Sequence, residues 1–351
     1  MQVSIFVSHV AGTGLFWLIH ASWGLSDSSE QFVFLSGLAL GSVFALKEAR
    51  GGFAAALRDL AQRLRRLYVM HLGVAVLFAA LVLWADATLL PGEIVRLGWH
   101  HLLDAPLAAA GGVAVTLYQP DFIGILPVFL WCMLLMPGFL WLAGRVGGWA
   151  LLPPAALYAA VQAFGLGVPG LGGVPLAFNP FAWQFLFLLG AWFGRRKLLT
   201  GQALAPSTAI TVAASAVVAT GLYARLVGHE VLPDLGLGAE LLDGKGELPP
   251  WRLLHALALA WLAARLIPSE AGWMRGRLAQ ALADIGRNSL PVFCLGLFLS
   301  WGIGVALRLH PADAMWLDPL LVLGGAGALA LFARFLARGA PAGRVATGHA
   351  R

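Results

Sequence analysis

The bases of this 351-residue chain fall in clumps between long apolar runs, and that spacing constrains its fold more than any motif does. The clumps lie at 47–66, at Arg145, at 195–197, at 265–287 and at 334–351, and the intervening loops carry few bases. A helix needs about 20 apolar residues to cross a bilayer. The apolar runs at 2–20, 29–46, 67–90, 122–143, 149–166, 181–195, 206–226, 251–267, 285–307 and 316–337 meet or approach that length. Cytoplasmic loops of membrane proteins are enriched in Lys and Arg. With the N-terminus inside, eighteen of the 23 bases lie on the cytoplasmic side, leaving Arg96, Arg225, Lys245, Arg252 and Arg308 outside. The expectation is an all-α polytopic membrane protein of about ten transmembrane helices, N-in and C-in.

Composition agrees. The chain is 60% hydrophobic and only 11% charged, against roughly 25% charged in a soluble domain, and its mean hydropathy is +0.81. The formal charge of +6 is then the basic cytoplasmic side of a membrane protein, and no nucleic-acid partner follows from it. Cys132 and Cys294 lie inside apolar runs, so neither a disulfide nor a metal-ligand spacing is expected. No cleavable signal peptide is expected, because the apolar start lacks a basic region and a small-residue cleavage site. Residues 1–337 read as a single transmembrane domain and 338–351 as a disordered cytoplasmic tail. No internal or inverted repeat is visible, which weighs against a secondary transporter. The outer segments 91–121 and 227–250 are long enough to be lids or binding surfaces, or simply solvated loops.

Ionisable groups in or against a membrane span are costly and so are functional candidates. Four constellations stand out. His9 sits in the first apolar run, and Asp27 and Glu30 lie one helical turn apart at the outer start of the second. A carboxylate can orient a histidine that takes a proton from a hydroxyl; equally, Asp27 and Glu30 form a helix cap and capping box. Arg65, Arg66, Tyr68 and His71 cluster at the inner mouth of the third run, where they either bind an anionic cytoplasmic donor or anchor the span. Asn179, Pro180, Trp183 and Gln184 open the sixth run, as a cap with an interfacial aromatic or as a grip for a sugar or acyl group. Arg252 and His255 share a face of the eighth run, and Arg287, Asn288 and Ser289 open the ninth, where a helix N-terminus can bind an anion or merely be capped.

These segments, in this order, resemble the OpgC family. The resemblance rests on His9–Gly12 and on the stretch from Gly24 to Gly37 (GLSDSSEQFVFLSG). It extends through the Arg-Arg-Leu-Tyr run ending at His71, the stretch 121–127, and the blocks 179–184 and 286–290. OpgC proteins are integral membrane succinyltransferases that decorate osmoregulated periplasmic glucans, related to the acyltransferase-3 superfamily. The chain departs from the family pattern twice. It begins within what reads as the first span, without the Arg- and Asp-bearing stretch that precedes it in the family. Ser8 also stands where an acidic or amide residue is expected.

The resemblance implies acyl transfer in the bacterial inner membrane from a cytoplasmic donor, acyl-CoA and most simply succinyl-CoA, to hydroxyls of a periplasmic glucan. It implies no bound cofactor and no metal. On this reading His9 is the general base, oriented by Asp27 or Glu30. Arg65, Arg66, Tyr68, His71, Arg287, Asn288 and Ser289 bind the donor, and Asn179, Trp183, Gln184, Arg252 and His255 bind the acyl group or sugar. O-acetylation of another surface polysaccharide, and transport of a glycan or acyl carrier, remain open alternatives.

Overall fold

A computed structural model of the chain describes residues 1–236, 239–268 and 271–339. The helices among them are α1 (Gln2–Ser8), α2 (Ser28–Thr88), α3 (Glu93–Arg96), α4 (His101–Asp104), α5 (Pro106–Ala114), α6 (Ile125–Val146), α7 (Leu152–Phe164), α8 (Pro180–Thr200), α9 (Thr208–Gly228), α10 (Pro250–Leu266), α11 (Arg277–Arg287), α12 (Ser289–Leu309) and α13 (Ala314–Gly339). No strand occurs among the described residues, which carry one isolated bridge, between Pro169 and Pro175. The protein is all-α. Five helical stretches are long and apolar enough to cross a membrane: Ser28–Thr88, Ile125–Phe164, Thr208–Gly228, Ser289–Leu309 and Pro311–Arg338. The expected tail falls, from residue 340, outside the described residues.

Two compact units emerge. The larger is Leu25–Ala260; the smaller joins Met1–Gly24 to the residues from Trp261 onward. In the larger unit α2 and α8 run parallel with small residues between them. A methyl group at Gly37 or Gly41 would overlap the backbone carbonyls of Phe187 or Ala191, and one at Gly190 or Gly194 would overlap those of Phe34 or Leu38. Both helices thus present a small-xxx-small face, the sequence feature that lets helix backbones approach closely inside a bilayer. Parallel packing puts the N-termini of α2 and α8 at one end.

Three sequence expectations need correction. The run 2–20 is not one helix: α1 stops at Ser8, and two 3-10 turns follow at Gly14–Leu18 and His20–Ser22. Thr13 caps the first turn through a hydrogen bond from Leu15 N–H, and Gly12 before it has φ +84°, which interrupts any continuous helix. Second, the basic stretch 47–66 is no loop but part of α2, whose one interruption is at Gly52, with φ 76°. Third, the segment after α2 is not a simple outer loop. α5 runs back along α2: Val113 and Ala114 reach His71 and Tyr68, which lie some 17–20 residues, or about 26–30 Å of helix, before the end of α2. α5 is uniformly apolar (PLAAAGGVA), so it packs along the membrane-type helix.

The smaller unit packs α1 against α12 and α13 around Phe6, Val292, Ile303, Val322 and Leu329. Asp318, in α13, accepts a hydrogen bond from Gly14 N–H at 2.8 Å. Cys132, in the larger unit, and Cys294, in the smaller, are free and buried.

Candidate functional site

The N-termini of α2, α8 and α10 converge, and the strap 244–249 joins them. At α2, Asp27 is the N-cap: its side chain accepts from Ser29 N–H at 2.7 Å, while Glu30 Oε2 accepts from Asp27 N–H at 2.9 Å, completing a capping box. The cap reading of these two residues is therefore correct, but it uses one oxygen of each. Glu30 Oε1 receives Arg252 of α10, through Nε at 2.7 Å and Nη2 at 2.6 Å. Asp27 Oδ2 receives Lys245 at 2.6 Å, with Arg252 Nη2 at 3.5 Å. The Glu30 and Arg252 side chains are 0% and 3% exposed. Two acids and two bases thus form one closed network in an otherwise apolar setting, the pairing that makes a buried charge tolerable. Burial pushes the Asp27 carboxyl upward, but Lys245 and then Arg252 outweigh it and hold Asp27 below the ordinary aspartate range.

One helical turn on from Arg252, His255 continues the site. Its Nδ1 lies 2.8 Å from Ser26 Oγ and 3.3 Å from Ser26 N, and both residues are buried. The backbone N–H can only donate, so Nδ1 is the acceptor and the tautomer carries its proton on Nε2. Gly221 of α9 makes room for this ring: a Cβ there would come within 2.6 Å of it.

At α8, Asn179 caps the helix, its Oδ1 accepting from Phe181 N–H at 3.0 Å, and Pro180 follows at the first position. Its amide nitrogen donates to Glu247 Oε2 at 2.6 Å and to Leu166 O at 2.7 Å. Trp183 Nε1 donates to Gly246 O, and Asn179 N–H to the same carbonyl. Gln184 donates to Pro154 O and Phe181 O. Trp183 and Gln184 are buried. The pair expected to grip a sugar fastens the strap, next to Lys245, and α7.

Of the residues expected to bind the donor, Arg65, Arg66, Tyr68 and His71 lie elsewhere in the same unit, whereas Arg287, Asn288 and Ser289 belong to the smaller one. Arg65 and Tyr68 line a groove of about 440 Å³ with Thr116, Trp131 and Leu134; Arg66 is exposed beside it. Tyr68 donates to Ala114 O at 3.0 Å, and His71, fully buried, lies with Nε2 3.0 Å from Val113 O.

His9 belongs to the smaller unit and ends α1. Its Nδ1 lies 2.8 Å from Ile5 O, so Nδ1 donates and Nε2 carries the lone pair. It borders a small recess with Gln2 and Ser300. Arg287 pairs with Asp284 of its own helix at 3.0 Å. Asn288 makes no side-chain cap; its amide donates to Asp284 O at 3.0 Å and Ala333 O at 3.4 Å. Neither expected role at the start of α12, cap or preformed anion site, is what the Asn288 side chain performs there.

Ser26, Lys245, Glu247 and Gly246 are the members that sequence reasoning missed as site residues. The signal was present: Lys245 is the one base in the acidic stretch 227–250.

The family model described as OpgC protein matches residues 1–340. This chain belongs to the OpgC family. No curated protein and no solved structure matches it. The matched span takes in all the site residues above and both units.

Proposed function

We propose that this OpgC chain is an inner-membrane acyltransferase that moves a succinyl group from cytoplasmic succinyl-CoA to hydroxyls of a periplasmic glucan. Membership of the family over residues 1–340 is the observation that carries this reading. The chain crosses the membrane several times, with the basic stretch of α2 cytoplasmic and the starts of α2, α8 and α10 outward.

His9 is the base. Its Ile5 contact presents Nε2 as the acceptor atom, which takes the proton of a glucan hydroxyl. The hydroxyl oxygen attacks the thioester carbonyl, the carbon–sulfur bond breaks, and the coenzyme A thiolate leaves and is protonated. Arg65 and Tyr68 receive the donor's phosphates and arm at the groove they line, and Arg66, exposed, adds a second positive charge on the same helix. Arg252 and Lys245 are both paired, with Glu30 and Asp27, but Arg252 is buried and Lys245 is 39% exposed, so Lys245 is the cation that a succinyl carboxylate reaches, in exchange for Asp27, at the α2–α8–α10 end.

The test is mass spectrometry of periplasmic glucans from cells with and without the gene. A succinyl mass per substituted hexose, lost on deletion and restored by wild type but not by His9→Ala, is the expected result. An acetyl mass instead changes the donor, and restoration by His9→Ala overturns the base assignment. Unchanged glucans in the deletion overturn the reading.

A further inference from the structure

We propose that His100, His101 and Asp104 form a binding site for a divalent cation of the zinc class. These residues sit in the segment between α2 and α6 and take no part in the ion-pair network. One ligand atom from each lies within 4.8 Å of the other two. Two imidazoles and a carboxylate are a borderline donor set that suits zinc better than calcium or magnesium, which take oxygen ligands.

The geometry is prepared by the chain's own packing. His100 precedes α4 and Asp104 ends it, so the three side chains fall within one helical turn. The turn is closed by hydrogen bonds from Asp104 N–H to His100 O at 3.2 Å and from Ala105 N–H to His101 O at 3.0 Å. Tyr118 braces it: its hydroxyl donates to Gly98 O at 2.7 Å, and its ring meets the His101 ring edge-on at 5.5 Å. Gly172 lies against the other side, where a Cβ would stand 3.1 Å from His101 Nε2. The two imidazole rings are 4.3 Å apart between centroids.

Two further observations point to a ligand. His100 Nδ1 is buried and has no hydrogen-bond partner among the described residues, so a bound ligand would satisfy it. A cavity of about 160 Å³ adjoins both histidines and is bordered by Tyr118, Gln119 and Asp121. Its volume admits a water molecule or a hydroxyl as a further ligand, and three protein ligands with one open position is the pattern of zinc sites that engage a substrate. Ligands around zinc stand about 3.3 Å apart for bonds of about 2.0–2.1 Å. Asp104 is exposed and so is free to close the remaining gap.

The experiment uses the full chain purified in detergent, stripped with a chelator and titrated with Zn²⁺ against a chromophoric competitor, with metal content measured in parallel. Wild type is expected to bind one Zn²⁺ per chain. Asp104→Asn and His101→Ala are expected to lower affinity at least about tenfold, while His310→Gln leaves it unchanged. Asp104→Asn alters an exposed side chain, so it keeps the fold even where a histidine variant does not, and an unchanged elution profile verifies this. Zinc binding that is equal in wild type and Asp104→Asn, or absent above a protein-free detergent blank, overturns the proposal. The readout is metal binding, so it stands or falls separately from the acyltransferase reading.

Discussion

Glu30 accepts two hydrogen bonds through a single oxygen from Arg252, a residue 222 positions later in the chain. The pair ties the start of α2 to the first turn of α10, with almost no solvent to screen it. Removing one member strands the other as a buried charge, a loss of about 3–5 kcal/mol, whereas replacing both with apolar groups is close to neutral. Glu30→Met or Arg252→Met alone should each lower the unfolding midpoint in detergent strongly, and the double variant should recover much of the loss. Additive losses would show that the pair is not coupled.

The α2–α8 contact makes a second, sharper prediction. Gly37→Leu and Gly194→Leu place side chains where backbone carbonyls already stand. Overpacking of this kind costs about 1–3 kcal/mol or more, and here the obstacle is backbone that cannot rotate away. Both variants should lose monodisperse protein on size exclusion. Gly73, in the same helix with nothing within 4 Å of a Cβ, should accept Leu without loss.

Asp27 predicts a pH dependence. Its folded-state carboxyl is held below the ordinary range by Lys245 and Arg252, against the effect of burial. A depressed acid contributes stability that is fully present above its unfolded value of about 3.9 and is lost as pH falls through the lower folded value. Wild type should therefore lose stability on acidification below about pH 4 more steeply than Asp27→Asn, which starts less stable but has no such proton to take up. Parallel acid profiles would sink this assignment.

Asn179 serves both a helix and the strap. Asn179→Ala forfeits the cap, worth about 1 kcal/mol, and the bond to Glu247. Asn179→Ser keeps the cap alone. Asn179→Asp keeps the cap but sets a second carboxylate against Glu247, where the amide now stands at 2.6 Å. Hydrogen exchange across 244–249 should rise least for Ser and more for Ala and Asp. Equal protection in all three would mean that the strap is held by Trp183 and Tyr158, whose Nε1 and hydroxyl donate to Gly246 O and Leu248 O.

The class of fold was legible in the spacing of bases, because the cost of placing charge in hydrocarbon acts residue by residue along the chain. So was the α2 cap, since Asp27 and Glu30 carry its pattern locally. What connected them was not legible. The partners of Glu30 and Asp27 lie more than 200 residues away, and although Lys245 stands out as the one base of an acidic stretch, nothing local says which carboxylate it or Arg252 meets. The partners of Trp183 and Gln184 were equally hidden: their composition suggests a sugar grip, and nothing local says that backbone carbonyls of the strap and α7 take up their hydrogen bonds. The break at Gly52 was invisible to hydropathy, which treats 47–66 as a polar gap although the backbone stays helical on both sides.

That single glycine has a mechanical consequence. From Phe53 to Thr88 the backbone of α2 is one uninterrupted rod, about 54 Å long at 1.5 Å per residue. Its basic part and its apolar part belong to one rod, so Arg65 and His71 keep a fixed spacing along it. Gly52 is the kink that sets this rod off from the first half of α2. Tyr68 and His71 therefore hold a fixed phase on this rod, and their contacts with Ala114 and Val113 set the register of α5 against it.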